Sequence, residues 1–82
     1  MVQKIKRSNA LGENIKNLRL KTGFGVKELA DYLQLLGCDI TTRESLNKIE
    51  AGNQNITLLQ LKGFISAFNI TYDEFFKFLE EE

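Results

Sequence analysis

The sequence has no proline and no histidine, and a single cysteine among its 82 residues. Without proline nothing removes a backbone donor from a helix interior, so long continuous helices are open to the chain. Without histidine, zinc sites built from Cys and His are excluded, as is the commonest general acid–base side chain. The lone Cys38 cannot close an internal disulfide and is expected to serve as apolar filler. No apolar run approaches the roughly 20 residues of a membrane span. Lys4, Lys6 and Arg7 are not followed by the apolar stretch and cleavage site of a secretory leader, so a cytoplasmic protein is expected. No metal, cofactor or membrane partner is predicted.

What remains is a globular composition, 43% hydrophobic and 27% charged. A chain this short buries only about two-thirds of its unfolded surface, enough for one core and not for two. Formal net charge is zero, but unevenly laid out. Residues 1–52 hold nine Lys or Arg and six Asp or Glu, and residues 53–82 hold two and five, a +3 half followed by a −3 half. The basic half suits a polyanion, or is a solvated surface beside an acidic solubilising tail. The chain is expected to divide into a flexible basic segment 1–9, one helical domain 10–80 and an acidic end 81–82.

Five helices are predicted. Leu11, Ile15 and Leu18 recur at helical spacing up to Thr22-Gly23, which predicts a first helix over 10–22 ended by a left-handed glycine. Val26, Leu29, Ala30, Leu33 and Leu36 form one stripe of a second helix that ends at Gly37. Phe24 and Leu29 stand where a hydrophobic staple would. Three Ile-Thr pairs, "ITTRES" (40–45), "ITLLQL" (56–61) and "ITYDEF" (70–75), start the other three. In each a Thr hydroxyl can cap the helix while Glu44, Gln60 or Glu74 reaches back to the cap N–H, a capping box worth about 1 kcal/mol. Ile56 with Leu61 and Ile70 with Phe75 add staples. Helix 4 is expected to bury Leu58, Leu61, Phe64, Ile65 and Phe68, and helix 5 to offer Tyr72, Phe75, Phe76 and Leu79. Helix 3 differs: only Leu46 and Ile49 are strongly apolar, while Glu44, Asn47, Lys48 and Ala51 project the other way at about 100° per residue.

Two short helices joined by a turn, the second polar outside and within a basic half, suit insertion of a helix into the DNA major groove. The stretches "IKNLRLKTG" (15–23), "KELADYL" (27–33), "LNKIEAG" (46–52) and "NITYDEFF" (69–76) resemble, in order, the stations of the lambda-repressor and Cro-like helix-turn-helix family, also called the xenobiotic-response-element type. The resemblance spans about residues 11–79. It implies an all-α, compact five-helix bundle with helices 2 and 3 as the helix-turn-helix. It further implies a regulator that binds an operator in double-stranded DNA as a homodimer and represses by occupancy.

By the same resemblance, Arg43 and Glu44 reach base edges, with Asn47 and Lys48 on the same outward face, and Thr42 binds a phosphate near the cap. Asn53, Gln54 and Asn55 lie along the backbone. Arg43 is the leading candidate, because a guanidinium pairs bidentately with guanine. Arg19 and Glu50 match an internal ion pair between helices 1 and 3, and Ala30 a small residue where helices 2 and 3 meet; Ser45 is expected to be small for the same reason.

Alternatives stand beside several of these assignments. Glu44 either caps helix 3 and pairs with Lys48, or faces DNA. Lys27 either meets a phosphate or is ordinary surface. Lys4, Lys6 and Arg7 form an arm or, preferably, an untethered terminus. Phe78 falls off the stripe of Phe75, Phe76 and Leu79, so Phe75, Phe78 and Leu79 are candidates for a dimer interface, unless Phe78 merely covers the core edge. Two features depart from the family: Val26 stands where Gln is frequent, and the connection from Leu36 to Ile40 is longer than the tight turn. Zero net charge implies modest DNA affinity. A protein-interaction or antitoxin-like module is the alternative function. An enzyme is not expected, since there is no histidine, no glycine-rich phosphate loop and no carboxylate pair that the caps leave over.

Overall fold

The computed structural model describes residues 4–5, 8–38 and 41–81; Lys6 and Arg7 of the basic segment, Asp39 and Ile40 of the long connection, and Glu82 lie outside them. Five α-helices follow in order, α1 (Asn9–Thr22), α2 (Val26–Leu35), α3 (Arg43–Glu50), α4 (Leu58–Phe68) and α5 (Tyr72–Phe75). Alpha-5 is a single turn that tightens into a 3₁₀ helix over Phe76–Glu81, one residue past the expected domain boundary. Two short strands, β1 (Lys4–Ile5) and β2 (Ile56–Thr57), pair antiparallel with Lys4 opposite Thr57 and Ile5 opposite Ile56. The basic segment is therefore not untethered throughout its length. A two-residue strand is too short to leave a period-2 pattern in sequence, which is why the pairing was not predicted.

Each helix starts and stops for a local reason. The Ser8 hydroxyl accepts the Leu11 N–H at 3.0 Å to open α1, and Gly23 closes it at φ 94°, donating its N–H to the Arg19 carbonyl. Gly25 has no side chain to offer, so only half of a box opens α2: its N–H donates to the Glu28 carboxylate at 3.2 Å. The boxes at α4 and α5 form as predicted. Thr57 and Gln60 exchange bonds of 3.0 and 2.9 Å, and Thr71 and Glu74 exchange two of 3.1 Å.

The first Ile-Thr pair behaves differently from its sisters. The cap of α3 is Thr42 rather than Thr41, and the third helical residue is Ser45 rather than Glu44. Thr42 Oγ1 accepts the Ser45 N–H at 3.1 Å, and Ser45 Oγ accepts the Thr42 N–H at 2.9 Å. With two adjacent threonines either could cap, and tertiary structure decides between them. Ser45 thus contributes its hydroxyl to the cap, and Glu44 is released from capping.

Thr41, the threonine not used as a cap, is fully buried, and so, at 1% exposure, is Gln60. The Gln60 Nε2 donates to Thr41 Oγ1 at 2.8 Å, while its Oε1 serves the α4 box. Gln34 Nε2, from the end of α2, donates to the Thr41 carbonyl at 2.7 Å. Cys38, buried as expected, turns its thiol toward the Leu59 carbonyl. Thr41 and Cys38 thus tie the described ends of the long connection to α2 on one side and α4 on the other, and among the described residues no buried side-chain N or O atom is left without a partner.

The core gathers Ile15, Leu29, Leu33, Leu46, Ile49, Ile56, Phe64 and Phe75, one or more from every helix. Two glycines permit close approach. A Cβ at Gly12 would sit 2.6 Å from the Ile49 carbonyl oxygen and nearer still to that of Glu50, so α1 crosses the end of α3 with no room for a side chain. At Gly63 a Cβ would strike Leu33, which keeps α4 against α2. Some expected core residues lie outside: Leu36, Leu58, Tyr72 and Leu79 are exposed. For Leu58 the cause is the cap at Thr57, which sets the rotation of α4 so that Gln60 and Leu61 face inward.

Replacing Gln60 by Leu leaves the Thr57 hydroxyl still capping the backbone N–H of residue 60, but removes the side-chain half of the α4 box and strands the buried Thr41 hydroxyl. A loss of about 1–3 kcal/mol is expected by urea denaturation, the cost of leaving a buried polar group unpaired.

Candidate nucleic-acid interface

Helix α3 is short enough that it would be unstable alone in water. It is held by its inward stripe: Leu46 and Ile49 are buried at 0% and 1% exposure. At about 100° per residue these two directions average about 160° from the middle of Arg43, Asn47, Ala51, Glu44 and Lys48, which follow one another around the opposite side. All five are exposed. Among the described residues, no hydrogen bond or ion pair engages the side chains of Arg43, Glu44, Asn47 or Lys48. Glu44 is neither a capping group nor a partner of Lys48, so both intramolecular roles weighed for it are absent. The face carries two cations and one anion.

Behind this face lies the Arg19–Glu50 pair. Arg19 Nε and Nη2 donate to the two carboxylate oxygens of Glu50 at 2.7 and 3.1 Å, and Nη1 donates to the Phe24 carbonyl at 3.0 Å. The side chains are 9% and 8% exposed. Glu50 is the last residue of α3, where the helix dipole disfavours an anion; the guanidinium supplies the compensating charge in a bidentate geometry. The pair therefore joins α1, the turn before α2 and the end of α3, and takes no part in the exposed face.

The flanking candidates sit around the ends of α3. Thr42 is exposed at its cap, although its hydroxyl oxygen already accepts the Ser45 N–H. Beyond the helix, Gly52 turns at φ 80° and Asn53 N–H returns to the Lys48 carbonyl at 2.8 Å. Asn53 and Asn55 are exposed and Gln54 half-buried in the loop that follows. Lys27, in the first turn of α2, lies 3.4 Å from Asp31 with side chains 75% and 58% exposed. Such a pair contributes at most about 0.5 kcal/mol and leaves the ammonium available.

The dimer candidates fare unequally. Phe75 is wholly buried, its ring packed edge-on against Phe76 at 5.0 Å, and its carbonyl accepts Asn14 Nδ2 at 2.8 Å. It belongs to the core of the single chain and is withdrawn from the interface set. Phe78 is half-buried beside Phe76, and Leu79 is exposed. The tighter 3₁₀ winding after Phe75, three residues per turn instead of 3.6, is what returns Phe78 toward the core.

Of the residues that position α3 from outside the helix, Arg19 was expected from the resemblance, whereas Gly12, Gln34, Thr41 and Gln60 were not expected in that role. Gln60 was visible only as a capping residue, because a sequence does not show where the second end of an amide points. Among the described residues, no helix is long and apolar enough to cross a membrane, and no group of His, Cys, Asp or Glu could hold a metal ion.

No protein-family model and no curated protein matches the sequence. Among solved structures the chain is similar to ClgR, a clp gene regulator from C. glutamicum, with a TM-score of 0.74 at 18% identity over 89% of this chain and 86% of that one. At this identity the likeness establishes a shared fold.

Replacing Arg19 alone by Ala leaves the Glu50 carboxylate buried without its counter-charge and is expected to cost about 3–5 kcal/mol in denaturant unfolding. The double replacement Arg19→Met with Glu50→Leu should recover at least half of that loss.

Proposed function

We propose that this chain is a sequence-specific DNA-binding transcriptional regulator of the lambda-repressor and Cro-like type, reading duplex DNA in the major groove with α3. The observation that carries the reading is a helix anchored from behind by Leu46, Ile49 and the Arg19–Glu50 pair, with Arg43, Glu44, Asn47 and Lys48 all solvent-facing and unengaged. A fold shared with a clp gene regulator supports it. In this reading Arg43 donates to a guanine, Asn47 and Lys48 extend the contact along the groove, and Thr42, Lys27 and the Asn53–Asn55 loop meet phosphates.

One such module spans few base pairs. Two copies would place their α3 helices about 34 Å apart on one face of the duplex, and repression would follow from occupying the operator. Phe78 and Leu79 remain as candidates for the contact between copies. The setting is cytoplasmic, and no cofactor is called for.

A protein-interaction or antitoxin-like module is the second reading. Leu35, Leu36, Leu58 and Leu59 are all exposed, at the end of the antiparallel α2 and α4 where Cys38 meets Leu59, and a protein partner would be favoured by that apolar surface.

Titration of labelled duplexes over a range of salt separates the two. Logarithmic affinity is expected to fall linearly with the logarithm of salt concentration. Arg43→Ala is expected to cost about 1–3 kcal/mol on the preferred site and much less on unrelated DNA. Absence of duplex binding, or binding indifferent to salt, would favour the protein partner.

A further inference from the structure

An acid on a surface offered to a polyanion needs a reason. Glu44 is such a residue, and the structure removes the two ordinary reasons for it. Ser45, not Glu44, closes the α3 capping box, and no ion pair joins Glu44 to Lys48 or to any other described residue. Glu44 is the second residue of α3, exposed, about 100° around the helix from Arg43 and about 60° from Asn47. That places it within the outward face and not at its margin. Its remaining intramolecular benefit is proximity to the positive end of the helix dipole, which any acid in the first turn enjoys.

We infer that Glu44 is a specificity filter that selects a cytosine in the DNA half-site. The inference rests on the DNA-binding reading of α3. In the major groove guanine offers only acceptors, and thymine an acceptor beside a methyl group, so both repel or leave unpaired a desolvated carboxylate. Adenine offers an amino group, but next to the N7 acceptor, which lies against the second carboxylate oxygen. Cytosine alone offers its N4 amino group with no neighbouring acceptor on the same base, so one Glu44 oxygen can accept while the other stays solvated. The carboxylate lowers affinity for every duplex through phosphate repulsion and restores it only where that amino group is present. Discrimination thus comes from a repulsive element set beside the attractive ones of Arg43 and Lys48. With only one excess positive charge on the face, this selectivity is not swamped by non-specific attraction.

The test is selection from a random duplex pool with the wild-type chain, Glu44→Ala and Glu44→Gln, together with a thermal melt of each. The wild-type chain is expected to prefer cytosine at one position by about 5- to 150-fold. Glu44→Ala should flatten that position and bind unrelated duplexes more tightly. Glu44→Gln should move the preference to adenine, because an amide pairs with both its amino group and N7. If all three select the same bases and differ only in overall affinity and melting temperature, Glu44 serves the helix terminus alone and the inference is overturned while DNA binding stands. If the wild-type chain enriches no duplex, the DNA reading fails and the filter falls with it.

Discussion

The orientation of α3 depends on a buried charge that must be satisfied. Arg19 brings a guanidinium inside the protein, and three of its nitrogens find oxygen: two on Glu50 and one on the Phe24 carbonyl. Removing such a pair from water is costly, and the cost is offset only when the geometry is close to ideal. That requirement makes the contact intolerant of displacement. Because Arg19 lies in the last turn of α1 and Glu50 ends α3, sliding or rotating either helix breaks both bonds together. Gly12, one side of the same crossing, lets the two backbones approach until a methyl group would not fit.

A second constraint acts at the other end of α3. Thr41 precedes the cap, and its hydroxyl and carbonyl are held by amides from α4 and α2. The long connection would otherwise leave the start of α3 poorly defined, since each added loop residue widens the conformations available. Pinned at both ends and seated on Leu46 and Ile49 between them, α3 has one face left, and that face is polar. The functional reading and the specificity proposed for Glu44 both follow from this elimination, because a side chain without intramolecular work is free to meet a partner.

Much of this was legible in the residues. Helical periodicity located the inward stripes of α1 and α2, the Thr57 and Thr71 boxes formed where the Thr-x-x-Gln and Thr-x-x-Glu spacings put them, and Arg19 and Glu50 met as the resemblance implied. The misreadings share a physical cause. In "ITTRES" two threonines compete for one cap, and local spacing favours neither strongly; burial of Thr41 against Gln60 decides for Thr42. At the C-terminal end "FFKFL" read at 3.6 residues per turn puts Phe78 off the stripe of Phe75, but the helix tightens after Phe75, and three residues per turn bring Phe78 back to the edge of the core. Beta-1 exists only because Ile56–Thr57 offers it an edge, and nothing local in residues 4–5 encodes that.

The sequence by itself determined the glycine stop of α1, the caps that open α4 and α5 and which helix lacks a broad apolar stripe, because caps and periodicity act over three or four neighbouring residues. Only the tertiary structure decided which threonine caps α3, where the second end of Gln60 points, and whether Glu44 is occupied. Those outcomes turn on desolvation and pairing between groups far apart in the chain, whose energies exist only once the helices have packed.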